Sequence, residues 1–433
     1  MKITFVGAGY VGLVSGVMMS GLGHEVTCID VDEKKIKALK EKILPIFEPG
    51  LEEYIEKYAG SRRLNFTHIY DHKLSEAECI FITVGTPSAA DGNADLKAVY
   101  ASIEAICPYI SPDCVIAVKS TVPPGTCNDI EKFLRRNNYS NEVVSNPEFL
   151  REGSAIIDFT EPDRIVIGAS HERAFKVMRD IYRNFIARNI PIVETDLKTS
   201  ELIKYAANSF LACKIAFINE ISDLCEVVGG DISTLSEGIG LDKRIGTSFL
   251  NPGPGFGGSC FPKDIRALQR LSKNVNSDFL VLDAVIKSNT ERPQKLIQKI
   301  MPVLGGFKDK KIGILGLTYK AKTDDIRSSP AIEIINLLRE HEADIIAYDP
   351  EGMINAPKYF KDLKCARSAL EAAEAADAII VLTEWEEFKY IDFDRLKELM
   401  KTPNIFDLRN IFNPREIENK GFHYYSIGRK NSG

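Results

Sequence analysis

Histidine is scarce and unorganised in this chain: 433 residues contain six, and none lies in a recognisable motif. Acid–base chemistry, if there is any, must therefore fall to lysine, carboxylate, hydroxyl or water. The nine cysteines are odd in number, scattered from Cys28 to Cys365, and form no C-x-x-C pair. That argues against a zinc site and against a disulfide framework, so no metal is expected and a reducing cytoplasm is the expected compartment. A basic excess is missing too. A formal net charge of −6 leaves no electropositive stripe for nucleic acid, and phosphate on any ligand must be met by local groups. No segment is of low complexity, and only GRKNSG at the end reads as a loose tail. The uncharged run from Ile3 to Gly23 is interrupted by glycines and followed by no cleavage pattern. It reads as strand, loop and helix, with no membrane association expected.

The composition, 44% hydrophobic and 27% charged, is that of an ordinary globular protein of two or three domains. Over residues 1–198 the short runs KITFV, EVTCI, CIFIT, CVIAV, EVVSN, RIVIG and IPIVE alternate with helical patterns. This predicts an α/β domain with a mostly parallel sheet and helices on both faces. From Thr199 the pattern becomes one long helix closed by Gly229-Gly230, the start of a helical segment over 199–300. Its apolar content exceeds what one side of a small bridge can cover, which predicts a homodimer built on residues 199–228. Residues 301–433 return to alternation with KIGILGL, ADIIAYD, AIIVL and NIFDLR, and with a helix opening at Ser329 as cap and Pro330 as first residue. The expected architecture is two Rossmann-like domains joined by a long central helix and helical bridge.

Gly7-Ala8-Gly9-Tyr10-Val11-Gly12 is a G-x-G-x-x-G turn between a strand and a helix, and the next strand ends at Asp30. That context predicts a dinucleotide site, with the pyrophosphate at the helix N-terminus and Asp30 on the adenine ribose. A 2′-phosphate would meet Asp30 and Asp32 as like charges, so the expected cofactor is NAD rather than NADP. Thr86 and Thr121 sit on proline-stiffened turns after later strands, where each offers a hydroxyl to the same crevice, although turns use such residues in any case.

The stretch GPGFGGSCFPKD places Cys260 after a glycine run and before a helix start, with Lys263 close behind. An electropositive helix N-terminus favours a thiolate, which can add to an aldehyde and carry it on to a thioester. A cysteine that only fills core space has no need of GFGGS before it. Lys204 and Asn208, four apart on the long helix, can meet one developing oxyanion, and Glu148 and Glu152 in NPEFLREG are candidates to activate water.

Together GAGYVG, GTPSAADGNADL, STVPPGT, NPEFLREGSA, ELIKYAANSFLACKIAFINE, FLNPGPGFGGSCFPKD and GLTYKAKTDDIRSSP resemble the UDP-glucose/GDP-mannose 6-dehydrogenase family over about residues 1 to 425. The resemblance implies oxidation of the C6 alcohol of UDP-glucose to UDP-glucuronate, with two NAD used in turn. It implies Cys260 as nucleophile, Lys204, Asn208 and Asp264 as the charge-stabilising and water-positioning set, and Thr121 and Glu148 as supporting hydroxyl and base. It implies NAD contacts at Gly7, Gly9, Val11, Gly12, Asp30, Lys35, Thr86, Thr121, Glu152, Lys263 and Arg327. The nucleotide-sugar contacts it implies are Glu148, Phe149, Leu150, Arg151, Glu152, Lys204, Asn208, Phe249, Leu250, Asn251, Pro252, Gly253, Gly257 and Lys320, with Arg244 lent across a dimer interface. The alternatives are the same chemistry on UDP-N-acetylmannosamine or GDP-mannose, a two-electron 3-hydroxyacid dehydrogenase, and a non-catalytic NAD-binding scaffold.

Overall fold

Runs of β-branched and aromatic residues become strands wherever both their faces can be covered. The computed structural model describes residues 1–89 and 92–429. Its two compact units are residues 1–207 with 266–275, and residues 208–265 with 276–433.

The first unit is built on eight strands: β1 (Lys2–Val6), β2 (Glu25–Ile29), β3 (Leu64–Thr67), β4 (Cys79–Ile82), β5 (Val115–Val118), β6 (Val143–Ser145), β7 (Ile165–Ala169) and β8 (Ile192–Thr195). They are ordered β3-β2-β1-β4-β5-β6-β7-β8. All neighbours are parallel except β6 and β7, which run antiparallel with Ser145 opposite Gly168. The chain reverses its direction of travel across the sheet between β1 and β4, the switch point at which open α/β sheets bind ligands. β4 and β5 are buried at every position, their alternate side chains feeding cores on opposite faces. Phe5 and Phe81 stack at 4.8 Å in one of these cores.

The second unit carries β9 (Lys311–Leu315), β10 (Asp344–Tyr348), β11 (Lys364–Cys365), β12 (Ala378–Val381), β13 (Asn404–Asp407) and β14 (His423–Ser426). These form an all-parallel sheet in the order β11-β10-β9-β12-β13-β14. Ser329 caps the Pro330–Glu340 helix by accepting the Ala331 N–H, as its sequence predicts. The long helix runs Leu197–Val228 and ends where Gly229 turns left-handed at φ 79°, with the Gly230 N–H on the Cys225 carbonyl.

β3, β11 and β14 were not expected from the sequence. Each is short and partly or wholly exposed, so none makes the continuous apolar run that marks a buried strand. Part of the GTPSAADGNADL motif, residues 90–91, and most of the expected loose tail, residues 430–433, lie outside the described residues. None of the nine cysteines is in a disulfide. Among the described residues no helix is long and apolar enough to cross a membrane, and no cluster of metal-ligating side chains occurs.

Candidate active site

At the switch point of the first sheet, β1 leads through Gly7 (φ 103°) into the Tyr10–Gly21 helix, which no side chain caps. A Cβ on Gly12 would lie 1.9 Å from the Gly7 carbonyl oxygen and 2.4 Å from Thr83 Oγ1, whereas one on Gly9 would meet nothing within 4 Å. Gly12 thus seats the helix against the strand, and Gly9 keeps the ground before the helix N-terminus open. Asp30, buried at the end of β2, accepts from Ala8 N–H (2.9 Å), Asp32 N–H (3.0 Å) and Lys35 Nζ (2.8 Å). A carboxylate has roughly four acceptor sites, which leaves one for a ribose hydroxyl. These residues fit a dinucleotide. In the second sheet the corresponding Asp349 is fully buried and already takes the N–H groups of Leu317, Thr318, Glu351 and Gly352, the Thr318 hydroxyl and the Trp385 indole. The likeness of the two sheets therefore does not extend to a second ribose site of this kind.

Thr86 donates to the Thr121 carbonyl at 2.8 Å, so two of the candidate turns are fastened together. Glu152 precedes Gly153, whose N–H reaches Glu48 at 2.6 Å; Glu48 also accepts the Ala155 N–H and the Tyr10 hydroxyl. Burial and then the Glu48 carboxylate push the Tyr10 phenol above its ordinary pKa.

The long helix is tied to the first sheet by its opening turns. The Ser200 hydroxyl reaches Ser145 Oγ at 2.9 Å, and the Glu201 carboxylate takes the N–H groups of Gly125 and Cys127. One turn on, this anchoring sets Lys204 Nζ 3.1 Å from Glu148 Oε1, with both side chains buried. The Leu150 N–H donates to the other Glu148 oxygen, and Phe149 lies between the guanidinium of Arg164 (3.5 Å from the ring centroid) and Lys204 Nζ (5.1 Å). Arg151 is held instead by a two-point contact with Asp158.

In the second unit Cys260 is exposed and stands immediately before the Phe261–Asn274 helix, its carbonyl accepting the Asp264 N–H at 2.9 Å. The loop before it is held at several points. Asn219 accepts the Gly253 N–H, Arg292 donates to the Gly253 carbonyl, Asn289 bonds Phe256 on both sides of its backbone, and the Gly258 N–H reaches the Arg327 carbonyl. A Cβ on Gly257 would lie 2.2 Å from the Ser328 carbonyl oxygen, so only glycine lets the two backbones approach. Asp264 is fully buried, with Asn208 Nδ2 at 2.6 Å and Lys263 Nζ at 2.5 Å. Phe249, at φ 63°, and Phe256 both pack near Phe261, and Leu250, Pro252 and Gly253 are buried while Asn251 is exposed. Lys320 Nζ lies over the Tyr319 ring at 5.5 Å, and the Arg327 guanidinium grips Asp325. Arg244 is 89% exposed and bonded only to its near neighbour Asp242 among the described residues.

Three family models match in succession: the NAD binding domain of the UDP-glucose/GDP-mannose dehydrogenase family over residues 1–186, its central domain over 198–291, and its UDP binding domain over 313–414. The chain belongs to the UDP-glucose/GDP-mannose dehydrogenase family. As a member it is an NAD-dependent oxidoreductase. The UDP-glucose 6-dehydrogenase of Rickettsia bellii is 53% identical over 99% of this chain and 100% of its own. The UDP-glucose dehydrogenase of Pyrobaculum islandicum, 35% identical, superposes with a TM-score of 0.91 over 99% of this chain and 98% of that one. A UDP-D-ManNAc dehydrogenase from Pyrococcus horikoshii, 26% identical, gives a TM-score of 0.87 over 99% of both chains.

Sequence reasoning missed Lys119, Glu48, Glu201, Asn219, Asn289 and Arg292, all of them partners of the motif residues. Lys119 had a usable signal, since it directly follows the buried strand β5 and opens the STVPPGT turn.

Proposed function

We propose that this dehydrogenase oxidises UDP-glucose at C6 to UDP-glucuronate, with Cys260 as the covalent nucleophile. The observation that carries the assignment is a cysteine at the start of a helix whose first turn holds the buried Asp264, itself bonded to Asn208 and Lys263. The identity to UDP-glucose 6-dehydrogenases over the full chain supports the choice of sugar. NAD supplies the hydride acceptor for both oxidations. Gly7, Gly9, Val11 and Gly12 with the helix N-terminus hold its pyrophosphate and Asp30 its ribose, while Lys35, Thr86, Thr121, Glu152, Lys263 and Arg327 complete its contacts.

Lys204 and Asn208 meet the oxygen at C6 as it gains negative charge. Cys260 Sγ adds to the aldehyde carbon, the carbonyl oxygen takes a proton, and the second oxidation of that carbon leaves a thioester. Water, activated by Glu148 with Thr121 and positioned by Asp264, breaks the carbon–sulfur bond and returns the thiol. One sugar, two NAD and one water thus give one uronate, two NADH and three protons. Phe149 to Glu152, Phe249 to Gly253, Gly257 and Lys320 line the nucleotide-sugar, and Arg244 of a second subunit completes it.

The test is stoichiometry: two NADH per UDP-glucose consumed, with kcat/KM for NADP at least ~100-fold below that for NAD because the remaining acceptor site on Asp30 repels a 2′-phosphate. One NADH per sugar, or turnover of UDP-N-acetylmannosamine or GDP-mannose in preference, would overturn the assignment.

The same reading includes a dimer in a reducing cytoplasm. Phe210, Phe217 and Leu224 recur every seventh residue of the long helix and are 67%, 54% and 55% exposed, with Val228 at 69%. So regular an apolar stripe fits a second copy of the helix. Light scattering is expected to give about twice the chain mass of 48.2 kDa, and Phe217→Asp to halve it. A wild-type monomer at working concentration would remove the dimer from the proposal.

A further inference from the structure

Lys119 has no part in the chemistry so far, and its placement is costly. Its backbone N–H continues the sheet by donating to the Ile82 carbonyl, and its side chain is only 6% exposed. The ammonium makes one hydrogen bond among the described residues, 3.2 Å to Asn146 Oδ1, and lies 6.0 Å from the Phe81 ring centroid. Asn146 is fixed in turn by the Tyr182 hydroxyl (2.6 Å) and by its own amide on the Val166 carbonyl (2.7 Å). A buried cation this sparsely bonded lowers stability unless nearby charge compensates it. The charges that face it are the Glu148 carboxylate, which favours its protonated form, and the Lys204 ammonium, which opposes it. Glu148 also faces Arg164, which has the exposed Asp163 as a second partner at 4.0 Å, so Glu148 is the carboxylate that Lys119 and Lys204 share. The neighbouring Tyr182 phenol, its pKa raised by burial, stays neutral. Burial brings the Lys119 ammonium down to about 8, into the range where an enzyme works.

We propose that Lys119 is a positioning residue for the reaction, whose buried positive charge, held through Asn146 on the Glu148 and Lys204 side of the sheet, sets the pH at which that pair is competent. The excess of buried positive charge suits a site that must receive an oxyanion, and removing one cation makes the cluster hold its remaining protons more tightly. The proposal rests on the assignment of Glu148 and Lys204 to the reaction.

The experiment compares pH profiles of kcat/KM for UDP-glucose in the full-length wild type, Lys119→Met, Lys119→Gln and Tyr182→Phe. Loss of the charge is expected to move the acid limb of the profile upward by about one pH unit, the size of effect a nearby charge produces, and the alkaline limb by less, because the wild-type lysine is itself losing its proton there. Lys119→Gln keeps a donor for Asn146 without the charge, so it decides the matter where Lys119→Met does not fold. Tyr182→Phe loosens Asn146 at constant charge, and its profile should stay where the wild type has it. Neutral variants with an unmoved profile, or Tyr182→Phe shifted as far as they are, would overturn the role of the charge. A wild type that forms no NADH from UDP-glucose would instead refute the functional reading beneath it.

Discussion

Cys260→Ala should make no UDP-glucuronate, with the overall rate down on the order of 10⁴-fold or more, the scale seen when a covalent nucleophile is deleted. The aldehyde then has no sulfur to hold it, so oxidation stops after at most one NADH per sugar. The fold should survive. Cys260 is exposed, and its backbone carbonyl, which alanine keeps, accepts the Asp264 N–H at the helix start. Cys260→Ser should trap sugar as an ester that hydrolyses very slowly, because a serine hydroxyl is a poor nucleophile without an adjacent base, and no histidine lies in this motif. NADH absorbance read against UDP-sugars separated by chromatography checks both variants, and circular dichroism checks the fold. Undiminished acid formation by Cys260→Ala would remove GPGFGGSCFPKD from the chemistry altogether.

Gly12→Ala should be nearly as damaging by a different route. Its methyl group would sit 1.9 Å from the Gly7 carbonyl oxygen, and a backbone atom cannot swing aside as a side chain can. The Tyr10–Gly21 helix must then lift from β1, at a cost of several kcal/mol where ordinary overpacking costs ~1–3. Thermal melting should fall by roughly 5–10 °C, and KM for NAD should rise at least ~100-fold as the helix N-terminus leaves the pyrophosphate. Gly9→Ala provides the contrast. Its methyl group meets nothing within 4 Å, so melting should hardly change while KM for NAD rises, since the side chain fills the space kept for the cofactor. A Gly12→Ala protein with wild-type melting and wild-type KM for NAD would refute this account of the turn.

How much of this was legible beforehand depended on whether a feature is local. Parallel strands buried on both faces have to be apolar throughout, so β1, β2, β4, β5 and β9 stood out as runs, whereas the half-exposed edge strands β3 and β14 did not. Ser329-Pro330 announced its helix because a cap is made by adjacent residues. Asp30 could be singled out as a ribose candidate because strand, turn and acid follow one another in a short span. The supports of the Cys260 loop were not legible: Asn219 and Arg292 look like any polar residues on long helices until the fold brings both to Gly253. Lys119 suffered in the same way, for nothing in STVPPGT tells that the lysine before it is enclosed with Glu148 and Lys204.

Burial has sorted all but one of the cysteines into two populations, with Cys213 half-buried between them. Cys28, Cys79, Cys107, Cys114, Cys127 and Cys225 are enclosed, and loss of water raises the pKa of each; Cys107 is pushed up to about 11 and Cys28 and Cys114 to about 12. Such thiols are poor targets for electrophiles and oxidants, which attack the thiolate. The thiols presented at the surface are Cys260 and Cys365, and burial also raises the pKa of the latter. Under the role proposed for Cys260, oxidants that reach the exposed thiols strike the residue needed to complete the acid, while the enclosed thiols of the core are spared.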